Sequence, residues 1–180
     1  EGMEEQKTIT TMAKKTTRDS AHFLGAFRIG EKTIGAGSPA FIIAEAGVNH
    51  NGDLKLAYRL IDAAKRAGAD AVKFQAFSAD RLVSTGTPKV AYQQSTTEAS
   101  ETHYDMIKKL EITEEFQKKL FVYCGRKNIL FLSTPYDVES ARFLNRLGVA
   151  AFKIASADIV DLPLNDYVAS NGRPVIFAVG

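Results

Sequence analysis

Residues 151–158 read AFKIASAD. Ala151, Phe152 and Ile154 make a short apolar strand that delivers Lys153, Ser156 and Asp158 at its C-terminal end. Apolar neighbours on both sides of a lysine suit a strand buried on both faces, as in a parallel sheet, where a charge is costly unless it meets a partner. A lysine so placed needs an anion. Two other segments share this build: AVKFQ at 71–75, with Lys73 and Gln75, and LFLSTP at 130–135, in which Ser133 and Thr134 close an apolar run. Three strands that each end on polar side chains predict one shared site at the mouth of a parallel β structure.

Working outward, the same alternation of strand and helix patterns extends over most of the chain. Residues 27–35, FRIGEKTIG, hold two short runs around Gly30 and Glu31 and read as a β-hairpin. FIIAE at 41–45 reads as a buried strand with Glu45 at its C-terminal lip, followed by a Gly- and Asn-rich loop. Asp53 suits the N-cap of the next helix, in which Leu54, Ala57, Leu60, Ile61 and Ala64 recur at helical spacing until Gly68 stops it. Strand 71–75 precedes a polar loop over 78–100, long enough to cover a site rather than merely connect. Helical patterns follow at 101–110 and 114–127, the second capped by Thr113. Then come strand 129–133, helix 137–147, strand 151–155, helix 162–170 and strand 174–179.

Helices between successive strands predict α/β architecture with right-handed crossovers. An open doubly wound sheet and a (β/α)8 barrel both fit this order. The G-x-G-x-x-G phosphate fingerprint of the former is missing after the first strand. Polar residues at strand end after strand end favour the barrel, which collects its active site from many strands. Five such strands cannot close eight. The expectation is therefore a TIM barrel truncated to about its first five strands, spanning 23–180 behind a disordered tail at 1–22.

Composition narrows the function classes. With 23 basic against 21 acidic residues the net charge is +2, and no basic stripe with interleaved aromatics suggests nucleic acid. No apolar run approaches the roughly 20 residues that span a bilayer, and residues 1–22 lack the apolar segment of a secretory signal. No membrane partner is expected. The single cysteine, Cys124, excludes an internal disulfide, leans toward the cytoplasm, and in its helical pattern reads as a small buried apolar group.

The chemistry-bearing candidates gather at strand ends. In a barrel, Lys73 and Lys153 can converge on one doubly charged phosphate or carboxylate; alternatively each pairs with Glu45 or Asp158 as a structural salt bridge. Thr134 and Ser156 offer hydroxyls to phosphate oxygens or simply form turns. Glu45 and Asp158 suit acid/base work, a polyhydroxyl substrate, or helix capping and ion pairing. Asn49, His50 and Asn51 make either a substrate loop or an ordinary turn. His22 and His103 are distant from His50 in sequence, and no H-x-H, H-E-x-x-H or cysteine cluster marks a metal site in this chain.

FIIAEAGVNHNGDLKLA, AGADAVKFQAF, FLSTPYD, AFKIASAD and DLPL, in this order and spacing, closely resemble the sialic acid synthases, a family that includes N-acetylneuraminate, legionaminate and pseudaminate synthases. The likeness covers residues 27–180. It implies a (β/α)8 barrel that condenses phosphoenolpyruvate with an N-acetylated amino sugar, N-acetylmannosamine by default, to a nine-carbon 2-keto acid with release of phosphate. By position, Lys73, Thr134, Lys153 and Ser156 would hold phosphoenolpyruvate, Gln75 and Asn49 would face the sugar, and Glu45 and Asp158 would carry acid/base or sugar-contacting roles. Asp158 stands where many members have Glu, one methylene longer.

The resemblance also implies a cytoplasmic homodimer that uses Mn2+ or Mg2+. The metal's histidine ligands, on later strands, and a C-terminal antifreeze-like domain are expected in a longer parent, so this chain alone is expected to be inactive. A further departure is at Ala178, Val179 and Gly180, where the family commonly has a Ser-Thr-Gly run that adds a phosphate contact. Two alternatives stay open: a phosphoenolpyruvate-condensing barrel acting on phospho-sugars, and a degenerate relative that binds polysaccharide precursors.

Overall fold

A computed structural model describes residues 25–82 and 102–180. The polar stretch 1–22 and most of the long loop, residues 83–101, lie outside the described residues. The chain divides into two compact units, Glu1–Ala40 and Phe41–Gly180. In the first, β1 (Phe27–Ile29) and β2 (Lys32–Ile34) pair antiparallel, with Phe27 opposite Ile34 and Ile29 opposite Lys32. The Arg28 guanidinium donates to the Glu31 carbonyl at 3.0 Å across the turn.

The second unit alternates strand and helix. Its elements are β3 (Ile43–Gly47), α1 (Leu54–Arg66), β4 (Ala71–Ala76), α2 (Ala79–Leu82), α3 (His103–Leu110), α4 (Glu114–Arg126), β5 (Leu130–Pro135), α5 (Val138–Leu147), β6 (Phe152–Ile154), a 3-10 turn (Ser156–Val160), α6 (Leu162–Ser170) and β7 (Val175–Phe177). Strands β3, β4 and β5 form one parallel ladder and β6 and β7 another, with β6 lying beside β5. Parallel pairing follows from the helical crossovers, which return the chain to the same end of the sheet.

Capping residues set the helix limits. Asp53 accepts the N–H of Lys55 at 2.7 Å, Thr113 that of Phe116 at 3.1 Å, and Asp137 that of Ser140 at 2.8 Å. Each satisfies a donor that the first helical turn leaves unpaired. Helix α5 ends at Gly148, whose φ of +87° is a left-handed cap that a side chain would strain.

One face of the sheet is greasy and carries the helices. Ala46, Val72, Phe74, Phe131, Phe152 and Ile154 enter a core with Ile61 of α1, Leu120 of α4, Leu144 of α5 and Leu164 of α6. Phe74 stacks on Phe131 with centroids 5.9 Å apart; burying each such ring stabilises the fold by about 1.5 to 3 kcal/mol. Cys124 sits in this core, its thiol pushed up to about 12 by burial, inert as its helical position suggests. No helix among the described residues is long and apolar enough to cross a membrane.

Boundaries depart from the sequence reading in several places, the last strand among them, which is Val175–Phe177 rather than 174–179. Strand β3 begins at Ile43 rather than residue 41 and runs to Gly47, so Glu45 lies within it and not at its lip. Just ahead of the strand, the Ile42 N–H donates to the Asp70 carboxylate at 2.8 Å. The start of the predicted loop is a helical turn, α2. Strand β5 extends through Thr134 to Pro135, and Ser156 and Asp158 belong to a 3-10 turn rather than to a strand end.

Candidate active site

Because side chains alternate along a strand, the residues between the core positions share the opposite face. These are Glu45 on β3, Lys73 and Gln75 on β4, Leu132 and Thr134 on β5, and Lys153 on β6. Register brings them level: Glu45 stands opposite Lys73, Lys73 opposite Leu132, and Gln75 opposite Thr134. Ser133, grouped with Thr134 by sequence, faces the helices instead; its hydroxyl donates to Gln117 Oε1 at 3.2 Å.

Lys73 and Glu45 form an ion pair between adjacent strands. Here the structural salt bridge that the sequence left open is realised, with the lysine side chain only 13% exposed and the carboxylate 53%. Lys153 differs. Its ammonium donates to the Ile154 carbonyl at 2.6 Å and has no carboxylate within ion-pair distance among the described residues. Burial, and next the like charge of Lys73, hold its pKa below the ordinary lysine value, while Glu45 and Asp158 partly offset them. Lys73 and Lys153 thus stand on the same face of the sheet with β5 between their strands.

A bulge shapes the upper edge. Pairing of β3 on β4 slips between Glu45 and Gly47, whose φ is +51°. A Cβ at Gly47 would lie 3.2 Å from Glu45 Oε1 and 3.9 Å from Gln75 Nε2, so the glycine leaves room for both side chains. Thr134 is buried. Ser156 is exposed at the start of the 3-10 turn.

Asp158 carries an orphan. Its Oδ2 is buried without a hydrogen-bond partner, and burial followed by the charge of Asp161 pushes its pKa up, against the pull of Lys153. A carboxyl in such surroundings holds a proton more readily than an exposed one. Asn49 stands apart from this group, exposed in the turn after β3, with its N–H on the Ala46 carbonyl at 3.1 Å. His50 is buried between Phe74 and Phe116, its Nδ1 accepting the Gly52 N–H at 3.0 Å and its pKa lowered by burial. It is a neutral structural residue of the turn.

Tyr136 was not singled out by the sequence. It follows β5, half-buried, and after burial itself the charges of Asp158 and then Glu45 push its phenol pKa up. Alternation from Thr134 by two residues is the signal that could have found it. No group of three or more His, Cys, Asp or Glu that could hold a metal ion gathers among the described residues. Glu45 and Asp158 alone do not make up a divalent-cation site.

The face thus carries two lysines, one of them paired with Glu45, a hydroxyl and an amide side chain, and two carboxyl groups of unlike environment. Comparisons with known proteins place the chain in a family. N,N'-diacetyllegionaminic acid synthase of Campylobacter jejuni is 47% identical over 139 residues, 77% of this chain and 42% of that protein. The synthase of the same name from Legionella pneumophila is 46% identical over 151 residues, 84% of this chain and 42% of that protein. This chain thus spans about two fifths of the length of the curated relatives it matches. The crystal structure of N-acetylneuraminic acid synthetase from Leptospira borgpetersenii, in complex with citrate, superposes with a TM-score of 0.75 at 36% identity over 87% of this chain and 50% of that one. The NeuB family profile matches residues 60–180, the stretch that holds Lys73, Thr134 and Lys153, and the chain accordingly belongs to the NeuB family.

Proposed function

We propose that this chain is the first part of a (β/α)8 barrel that condenses phosphoenolpyruvate with an N-acetylated amino sugar, yielding a 2-keto sugar acid and phosphate. The observation that carries the reading is the pair of lysines, Lys73 on β4 and Lys153 on β6, whose charges act on each other in a partly buried setting. A ligand bearing both a carboxylate and a phosphate relieves that repulsion. Thr134 and Ser156 would donate to its remaining oxygens.

In this reading C3 of phosphoenolpyruvate attacks the aldehyde carbon of the open-chain sugar. The new C–C bond forms as the aldehyde oxygen takes a proton, which Asp158, its pKa raised by burial and next by the charge of Asp161, is suited to give. Water adds at C2, with its proton passing to a carboxylate such as Glu45. The tetrahedral C2 then collapses, the C–O bond to phosphate breaks, and the 2-keto acid remains. Gln75 and Asn49 would contact the sugar.

N-acetylmannosamine is the default sugar. A sugar with two acetamido groups is the second reading, favoured by the names of the 47% and 46% identical relatives. The remainder of the reading, a cytoplasmic homodimer dependent on Mn2+ or Mg2+, rests on family resemblance alone. The test is phosphate release by the protein at its full natural length, given phosphoenolpyruvate, Mn2+ and each sugar in turn. Release with one of them supports condensation; no release with any of them favours the degenerate relative, toward which Ala178 and Val179 point.

A further inference from the structure

Tyr136 continues the ladder of β5 beyond its last strand residue, its N–H donating to the Ala76 carbonyl at 3.0 Å. Since Ser133 faces α4 and Thr134 the opposite side, alternation puts Tyr136 on the Thr134 side of the sheet. The ring meets Phe77 edge-on, with centroids 6.1 Å apart and planes at 83°. Phe77 itself turns toward the helices, lining a cavity with Gln117, Ser140 and Phe143, and Tyr136 stands at the C-terminal rim beyond Thr134.

Tyr136 follows Thr134 by two residues, just past the C-terminal end of β5, and so borders the anion site on its rim side. With phosphoenolpyruvate held at the lysines, a second substrate has to meet it from the rim side. The carboxylates near the phenol can only accept hydrogen bonds when ionised. Their charges, together with burial, keep the phenol protonated and able to donate. Tyrosine presents an apolar ring with a polar donor at its tip. An acetamido group presents the counterpart, a methyl beside a carbonyl oxygen.

We propose that Tyr136 is a specificity-determining residue that recognises the acetamido group of the sugar, its ring packing on the methyl and its hydroxyl donating to the carbonyl oxygen. This inference rests on the condensation reading above. The test compares Tyr136→Phe and Tyr136→Ala with wild type in the protein at its full natural length, using the acetamido sugar that the wild type accepts and the analogue with hydroxyl in place of acetamido. Losing one neutral hydrogen bond should raise the KM for the acetamido sugar about 3- to 10-fold in Tyr136→Phe, and further in Tyr136→Ala. The KM for phosphoenolpyruvate should stay within about twofold, and the preference for acetamido over hydroxyl should shrink with the loss. Tyr136→Phe keeps the ring against Phe77, so an unchanged melting temperature checks that the fold is intact. An unchanged sugar KM in both variants, or an equal rise for phosphoenolpyruvate, overturns the assignment. Wild-type protein that releases no phosphate overturns the condensation itself, a failure visible before any substitution is made.

Discussion

Lys153 hydrogen-bonds its own strand, Nζ donating to the Ile154 carbonyl at 2.6 Å, while burial and next the charge of Lys73, with β5 between them, lower its pKa. One lysine is neutralised by Glu45 and the other is not. An ammonium left partly buried beside a like charge destabilises the fold, a cost that a bound anion would offset.

Lys153→Met should therefore make the chain more stable and less able to bind an anion. Since the pKa of Lys153 is lower folded than unfolded, the unfolded state binds more protons between those two values. Stability rises with pH across that window and the penalty is fully present at neutral pH. Removing it is expected to raise the melting temperature at pH 7 by about 2–4 °C. A fall in melting temperature would show that the ammonium is already compensated.

Asp158→Asn should lower kcat about 100-fold or more, the usual contribution of a positioned acid. A more selective check uses its neighbour. Asp161 raises the pKa of Asp158 through charge and also caps α6, accepting the Leu164 N–H at 3.0 Å. Asp161→Asn keeps a capping side chain but removes the charge, so Asp158 loses its proton at lower pH. The alkaline limb of the kcat profile is expected to move toward lower pH. An unmoved limb would exclude Asp158 as the acid.

His50 predicts a different pH dependence. Its folded pKa is lowered by burial, so on acidification the unfolded chain takes up the proton first and stability is lost as pH falls through about 6.5. His50→Gln should flatten the change in urea midpoint between pH 7.5 and 5.5. Equal slopes in wild type and variant would show that His50 is not the titrating group.

Gly47→Ala places a Cβ at φ +51°, 3.2 Å from Glu45 Oε1. A left-handed non-glycine residue costs about 1–2 kcal/mol, to be read from urea unfolding, and the crowding should also lower kcat by shifting Glu45. Wild-type stability together with wild-type kcat would refute both halves.

Much of this layout was legible in the sequence, for reasons that differ by residue. Lys73 and Lys153 declare themselves because each interrupts an apolar strand at an alternate position, which sends its side chain to the face opposite Phe74 or Phe152. Asp53, Thr113 and Asp137 are capping types just ahead of periodic runs. The Lys73–Glu45 pair was readable only as an option, because choosing it requires the register of β3 on β4 and the bulge at Gly47, both set by tertiary pairing. Ser156–Val160 has no period that separates a 3-10 turn from a strand end. Tyr136 was hidden by Pro135, which reads as the start of a turn although here it ends a strand.

The central claim is that Lys73 and Lys153 hold one doubly charged anion. Calorimetric titration of phosphoenolpyruvate into wild type, Lys73→Met, Lys153→Met and the double variant, in the protein at its full natural length, tests it directly. A charge-assisted contact contributes about 1.5 to 3 kcal/mol, so each single variant should bind about 10- to 100-fold more weakly. In the double variant the losses should be non-additive, as for groups that share a ligand. Wild-type affinity in either single variant would mean that the lysines serve only the fold, and would contradict the account.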